Sequence, residues 1–245
     1  MKTKKIRIAE TFDSFVEKRK CDHSISTHYI LENKKRIDFC IASNELERFY
    51  NLFNKKKEKP FLVEHLKNHK YFYFMTDVDF KNILLTSDEK NECINCIVVN
   101  LKKLCANIFN IDADTIIKQN ISSSDNQGNH IYTNLYIKKE DANKLIVLLR
   151  KECKLEKPSY QWNKILDKGI YNTGIRVCNS LKNNNSNVYV GNPFEYSVIK
   201  MGELTKMKNC FPVEEEVKSI EKKLKTYESI SIKKEQLSNN QLFSN

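Results

Sequence analysis

The sequence is that of an α+β protein, on three observations. Apolar residues recur both at helical spacing and in alternation, so helices and strands both form. These segments follow one another without a regular strand–helix–strand rhythm, which argues against a doubly wound sheet. The 245 residues are 40% hydrophobic, enough for one large domain or two small ones with a real core.

Taken in order, Phe12 to Lys20 reads as a helix in a basic N-terminal stretch. Residues 29–41 read as a hairpin turning at "ENKKR". "SNELERFYNLF" (43–53) predicts a helix with Ser43 as N-cap and Leu46, Phe49, Tyr50 and Phe53 on one face. "NKKKEKP" is a charged loop, and "FLVEHLKNH" (61–69) reads as a short helix. "YFYFMTDVDF" (71–80) is a strand. Its alternation puts Phe72, Phe74, Val78 and Phe80 on one face and Tyr73, Met75, Asp77 and Asp79 on the other.

Thr86 to Asn110 is the longest helical pattern. Thr86 and Glu89 have capping-box spacing, and Ile94, Val98, Leu101, Leu104, Cys105 and Ile108 recur at helical intervals. "HIYTNLYI" (130–137) alternates as a half-buried strand does, and "EDANKLIVLLRKE" (140–152) is the next helix. Residues 165–178 form a strand-and-turn region, "NVYVG" (187–191) a short strand and 213–228 a charged helix. From about Lys233 the chain is polar and expected to be disordered.

The balance of 42 basic against 31 acidic residues leaves a net charge of +11, which points to a polyanionic partner, nucleic acid before membrane. No run of about 18 apolar residues offers a membrane span. "MKTKKIRIAE" lacks the apolar stretch of a signal peptide. Eight scattered cysteines fit a reducing, intracellular compartment. "CINC" (93–96) and Cys105 lie within the amphipathic helix pattern and read as buried side chains, not zinc ligands. Cys21, His23 and His28 form a second group of metal-binding residue types, with no role assigned.

Three segments carry chemistry. Asp77 and Asp79 share a strand face that cannot be core, because paired like charges resist burial without counter-charge. A divalent cation such as Mg²⁺ or Mn²⁺ is the natural counter-charge for carboxylates. His130 opens a strand after the polar loop "SSSDNQGN", within reach of a phosphate. In "ILDKGIYNTGIRVCNSLK" (165–182), Asp167 sits among apolar residues, and Arg176, Ser180 and Lys182 share a face if the segment is extended. Arg gives bidentate phosphate contacts and Lys a point charge. Gly169 and Gly174 have phosphate-loop spacing, but Ile175 and Arg176 follow, so no Walker motif is present.

Two acids, then a His, then a third acid with basic residues after it: this order resembles the catalytic core of the archaeo-eukaryotic primase superfamily. The likeness is nearest to the N-terminal primase domain of primase-helicases of large nucleocytoplasmic DNA viruses, the poxvirus-like branch. "FMTDVDF" matches its Asp-hydrophobic-Asp strand end and "IYNTGIRVCNSLK" its third motif; the likeness spans roughly residues 22 to 200. One departure is Gly128, where the family has Ser or Thr two residues before the His.

The resemblance implies a primase fold, with a mixed or antiparallel catalytic sheet like an RRM palm and an N-terminal α/β subdomain. Residues 1–70 would be the N-terminal part, 71–210 the catalytic core and 211–245 a charged helix and tail or linker. It further implies DNA-templated primer synthesis from NTP or dNTP on single-stranded DNA, with two Mg²⁺ or Mn²⁺ ions on Asp77, Asp79 and Asp167. His130, Arg176, Lys182 and, less directly, Ser180 would contact the nucleotide. Tyr132 and Tyr136 offer rings for stacking on bases, or simply pack. A replicative helicase in cis or in trans is the implied partner, and the setting is intracellular: host cytoplasm or a viral replication site. A metal-dependent nuclease would need a Glu-x-Lys or similar on a paired strand, which is not found. A non-catalytic nucleic-acid module has no need of three acids in one site.

Overall fold

The computed structural model describes residues 10–32, 34–110, 112, 114, 117–181, 188–199, 226, 229 and 230. The 213–228 helix and the tail expected beyond it fall almost wholly outside these residues, as does Lys182. Among the described residues, no helix is long and apolar enough to cross a membrane.

Two four-stranded sheets organise the chain, and every described pairing is antiparallel. The first has the order β2-β1-β3-β8: β1 (His28–Glu32), β2 (Lys35–Phe39), β3 (Phe61–Glu64) and β8 (Ile175–Arg176). The second has the order β5-β6-β4-β7: β4 (Tyr71–Asp79), β5 (Ile117–Ser122), β6 (Gly128–Lys138) and β7 (Leu166–Asp167). With helices on these sheets, the molecule is α+β. The last described strand, β8, returns to the first sheet and pairs with β3.

The helices form where local signals are strongest. In α3 (Ser87–Phe109), Thr86 and Glu89 make a complete capping box, and Asn110 ends the helix in the left-handed conformation. Leu101, Leu104, Cys105 and Ile108 are buried as the spacing requires, and so are Cys93 and Cys96. The short α1 (Phe12–Glu17) is capped by Thr11. In α2 (Leu46–Lys55) the buried side chains are Leu46, Phe49, Tyr50 and Phe53. Ser43 does not cap this helix; it opens a 3₁₀ turn, Ser43–Glu45, that leads into it. The helix α4 (Lys139–Glu156) packs against α3, β4 and β6.

Two further expectations are corrected. "FLVEHLKNH" is strand β3 followed by a 3₁₀ turn, Leu66–Asn68, not one helix. A short apolar run is ambiguous by periodicity alone, and pairing with both β1 and β8 decides it. Within 188–191 there is only an isolated bridge, Tyr189 to Ser123.

Phe72, Phe74 and Val78 of β4 and Phe80 just after it are buried, and burying side chains of this size is worth ~1.5–3 kcal/mol each. That holds the strand in place despite its two acids. A register shift against β6 falls between Tyr73 and Met75, where the Thr133 hydroxyl donates to the Phe74 carbonyl (2.7 Å). Beyond the shift, Met75, Asp77 and Asp79 all line one pocket.

Candidate active site

Cross-strand register assembles the site. On β4, Asp77 lies opposite His130 of β6 on one side and Asp167 of β7 on the other. Residues directly opposite in an antiparallel pair have Cα atoms about 4.5–5.5 Å apart. Three residues far apart in sequence therefore stand in one row. Two carboxylates opposite each other destabilise a sheet unless something neutralises them.

The row faces a pocket of about 490 Å³ between the two sheets, within the ~300–1,000 Å³ usual for small-molecule sites. Asp77, Asp79, Asp167, His130 and Arg176 all line it. Each is brought there by a definable local cause. Arg150 of α4 donates to the Leu166 carbonyl from Nε (3.1 Å) and from its terminal nitrogen, which fixes the strand that carries Asp167. The Tyr171 hydroxyl donates to the Met75 carbonyl (2.8 Å), holding α5 (Ile170–Thr173) under β4. Gly174, at φ +107°, makes the turn into β8 that presents Arg176. A Cβ there would collide with the Glu64 carbonyl.

The donor chemistry fits a hard divalent cation: three carboxylates and therefore only oxygen donors. Asp79 Oδ1 accepts from Lys81 N and Asp167 Oδ1 from Gly169 N, both at 2.7 Å. Each acid spends part of one oxygen on its own turn, which holds it in the pocket wall with its second oxygen still to give. Asp77 stands between them.

His130 occupies a different position from the one its place at a strand start suggests. It is 3% exposed, its ring stacked on Tyr189 with centroids 3.6 Å apart. Its Nε2 is 3.5 Å from Asp77 Oδ1, and its Nδ1 is 3.1 Å from the Tyr132 hydroxyl. Burial, helped by the nearby Arg176 charge, pushes its pKa down to about 3. The imidazole is therefore neutral near pH 7, and its approach to Asp77 is a dipolar contact, not an ion pair. Tyr189 covers one face of the ring, and His130 still lines the pocket.

Ser180 is not in the pocket. It is fully buried, accepting from Leu62 N (2.6 Å) and donating to the Pro60 carbonyl (3.0 Å). The extended run that would align it with Arg176 breaks at Asn179, which has φ +63°. Tyr132 is buried, with its hydroxyl against His130 and Cys178 (3.7 Å), so its ring packs rather than meeting bases. Tyr136 packs with Tyr71 and Tyr73.

Several lining residues carry no sequence signal of their own: Tyr29, Lys81, Asp125 and Tyr189. The Arg176 guanidinium lies over the Tyr189 ring, 4.6 Å from its centroid. Asp125 accepts from the Ser123 hydroxyl (2.7 Å), and the same hydroxyl accepts from Gly128 N (2.9 Å). The departure at Gly128 has a steric cause, since a Cβ there would run into the Tyr189 hydroxyl. The nearby hydroxyl comes instead from Ser123, which also lines the pocket.

The family model described as the C962R protein N-terminal AEP domain matches residues 27–192, more than half of the chain. No curated protein matches the chain.

Proposed function

The chain belongs to the archaeo-eukaryotic primase family, in its C962R-type, poxvirus-like branch, and on that premise we propose that it synthesises primers on single-stranded DNA. Family membership carries primase- or polymerase-type nucleotidyl transfer, dependence on divalent metal, a DNA template and nucleoside triphosphates. The observation that supports the finer reading is the row Asp77, His130 and Asp167, with Asp79 and Arg176 on the same pocket.

In the proposed reaction a 3′-hydroxyl attacks the α-phosphate of the incoming nucleotide in line. A phosphodiester bond forms, the α–β bond breaks, the hydroxyl proton passes to water, and pyrophosphate leaves with the electron pair. Two Mg²⁺ or Mn²⁺ ions, when held by Asp77, Asp79 and Asp167, supply charge neutralisation at the attacking and leaving oxygens. His130, itself oriented by Tyr132, fixes the rotamer of Asp77. Arg176 offers its guanidinium to the triphosphate, with Lys81 as a second cation on the wall. The net charge of +11 favours a template backbone. A helicase in cis or in trans and an intracellular setting, host cytoplasm or viral replication site, complete the reading.

The test is incubation with single-stranded DNA, labelled nucleotides and Mg²⁺ or Mn²⁺. New labelled oligomers that grow with time support primer synthesis. Shortening of an end-labelled template indicates a nuclease, and DNA binding with neither product a scaffold.

A further inference from the structure

Away from the pocket, three segments bring metal-ligating side chains together. His23 comes from the loop after α1, Asp38 from β2 and His65 from the residue after β3. One nitrogen of each imidazole and one oxygen of Asp38 lie within 4.8 Å of one another. His23 Nδ1 is 3.2 Å from Asp38 Oδ1, and the two imidazole rings stack at 4.6 Å. Of the residues the sequence singled out here, only His23 takes part. His28 instead sits in the core, with its Nε2 on the Tyr50 hydroxyl (2.9 Å).

The surroundings hold these groups in place. His65 is 1% exposed, and its Nδ1 is 3.0 Å from the Ser26 hydroxyl. That hydroxyl also lies 3.0 Å from the His23 carbonyl, which it can serve as donor. With the Ser26 proton on that carbonyl, His65 would carry its own proton on Nδ1 and offer the lone pair of Nε2. Fixing the tautomer through the second ring nitrogen is how proteins prepare a histidine for metal. Asn68 Nδ2 donates to the carbonyls of His23 and Ser26, both at 2.9 Å, and so clamps the loop.

We propose that His23, Asp38 and His65 form a transition-metal site, separate from the carboxylate pocket, with a fourth position open to water. Two imidazoles and one carboxylate suit Zn²⁺, with Co²⁺ as its spectroscopic stand-in, over Mg²⁺ or Mn²⁺. Bonds of about 2.0–2.2 Å require the three donors to draw together from their present spacing. Half-exposed His23 supplies that freedom.

Arg36 opposes the ion. Its Nε is 3.0 and 2.9 Å from the two Asp38 oxygens, and it adds a third contact at 2.8 Å. A carboxylate has lone pairs for both partners, but the guanidinium charge weakens binding. The site also abuts the pocket wall. Tyr29 meets His65 edge-on (5.9 Å), carries Arg36 on its face (3.7 Å) and lines the carboxylate pocket. An ion at this site fixes the position of that wall.

The inference stands independently of nucleotidyl transfer, and its test needs no activity. The full chain bearing Asp77→Ala and Asp79→Ala is titrated with Co²⁺ in excess Mg²⁺, following visible absorption, and Zn²⁺ is tested for its effect on Tm. The expected result is one Co²⁺ equivalent displaced by Zn²⁺, and a higher Tm with Zn²⁺. His23→Ala and His65→Gln should each weaken binding at least ~10-fold, the size of loss seen when a metal's supporting groups are removed. Arg36→Gln should tighten it. Should His65→Gln fold poorly, the exposed His23→Ala still decides. Absence of the cobalt spectrum, a spectrum unchanged in His23→Ala, or a near-ultraviolet thiolate band assigning the ion to cysteine would each overturn the proposal.

Discussion

Gly128→Ala tests the local logic of the site. The added Cβ falls on the Tyr189 hydroxyl, while the next neighbours, the Val78 carbonyl oxygen (3.4 Å) and Tyr189 Cζ (3.6 Å), are tolerable. The Tyr189 ring has little room to yield, since it lies between His130 and Arg176. Overpacking of this kind costs ~1–3 kcal/mol. For a chain of this length each kcal/mol lowers Tm by about 2–4 °C, so a fall of roughly 2–12 °C is expected. Displacing Tyr189 also uncovers His130, so its pKa should rise from about 3 toward the ordinary histidine range, read by NMR titration. The clash is with the hydroxyl alone. Tyr189→Phe should therefore rescue much of the loss in the Gly128→Ala background, while costing stability in the wild-type one. A strictly additive double-mutant cycle, or an unchanged His130 titration, would refute the reasoning.

Three other outcomes follow from the same geometry. Ser180→Ala removes the bonds to Leu62 and Pro60 and should cost ~1–3 kcal/mol in denaturant unfolding, while nucleotide affinity stays unchanged; a selective loss of nucleotide binding would return Ser180 to the site. Burial pushes the pKa of His28 down to about 3, so below pH 6.5 the unfolded chain takes up a proton that the folded chain refuses. Its contribution is full above about pH 6.5 and falls with pH, by ~2 kcal/mol at pH 5; parallel stability profiles for His28→Gln and wild type would contradict this. Gly174→Ala forces a side chain into φ +107° and against the Glu64 carbonyl, so it should destabilise more than Gly128→Ala does, as thermal melts would show.

How much of this was legible in the sequence depended on range. The α3 capping box and the buried face of α2 are local patterns, and they appear as expected. The α+β class followed from mixed periodicities. The grouping of Asp77, His130 and Asp167 came from likeness of motif order, because strand pairing between distant segments leaves no local trace. Tyr29, Asp125 and Tyr189 reach the pocket through strands and loops whose own composition says nothing of a ligand. Ser180 was misplaced because extension was assumed across Asn179, where the backbone turns left-handed. The group around His23 was half visible. His28 was expected beside it, yet alternation along β1 sends His28 into the core, and the third member, His65, comes from beyond the next strand, far from His23 in sequence.

The central claim is that the carboxylates gathered on β4 and β7 carry nucleotidyl transfer. The most direct measurement compares wild type with the Asp77→Ala, Asp79→Ala double variant in template-dependent synthesis on single-stranded DNA, with circular dichroism and melting as folding controls. The account expects labelled oligomers from wild type alone, and a variant that folds normally, with an equal or higher Tm in the absence of metal as the repulsion facing Asp167 is relieved. A folded variant that retains full synthesis would contradict it.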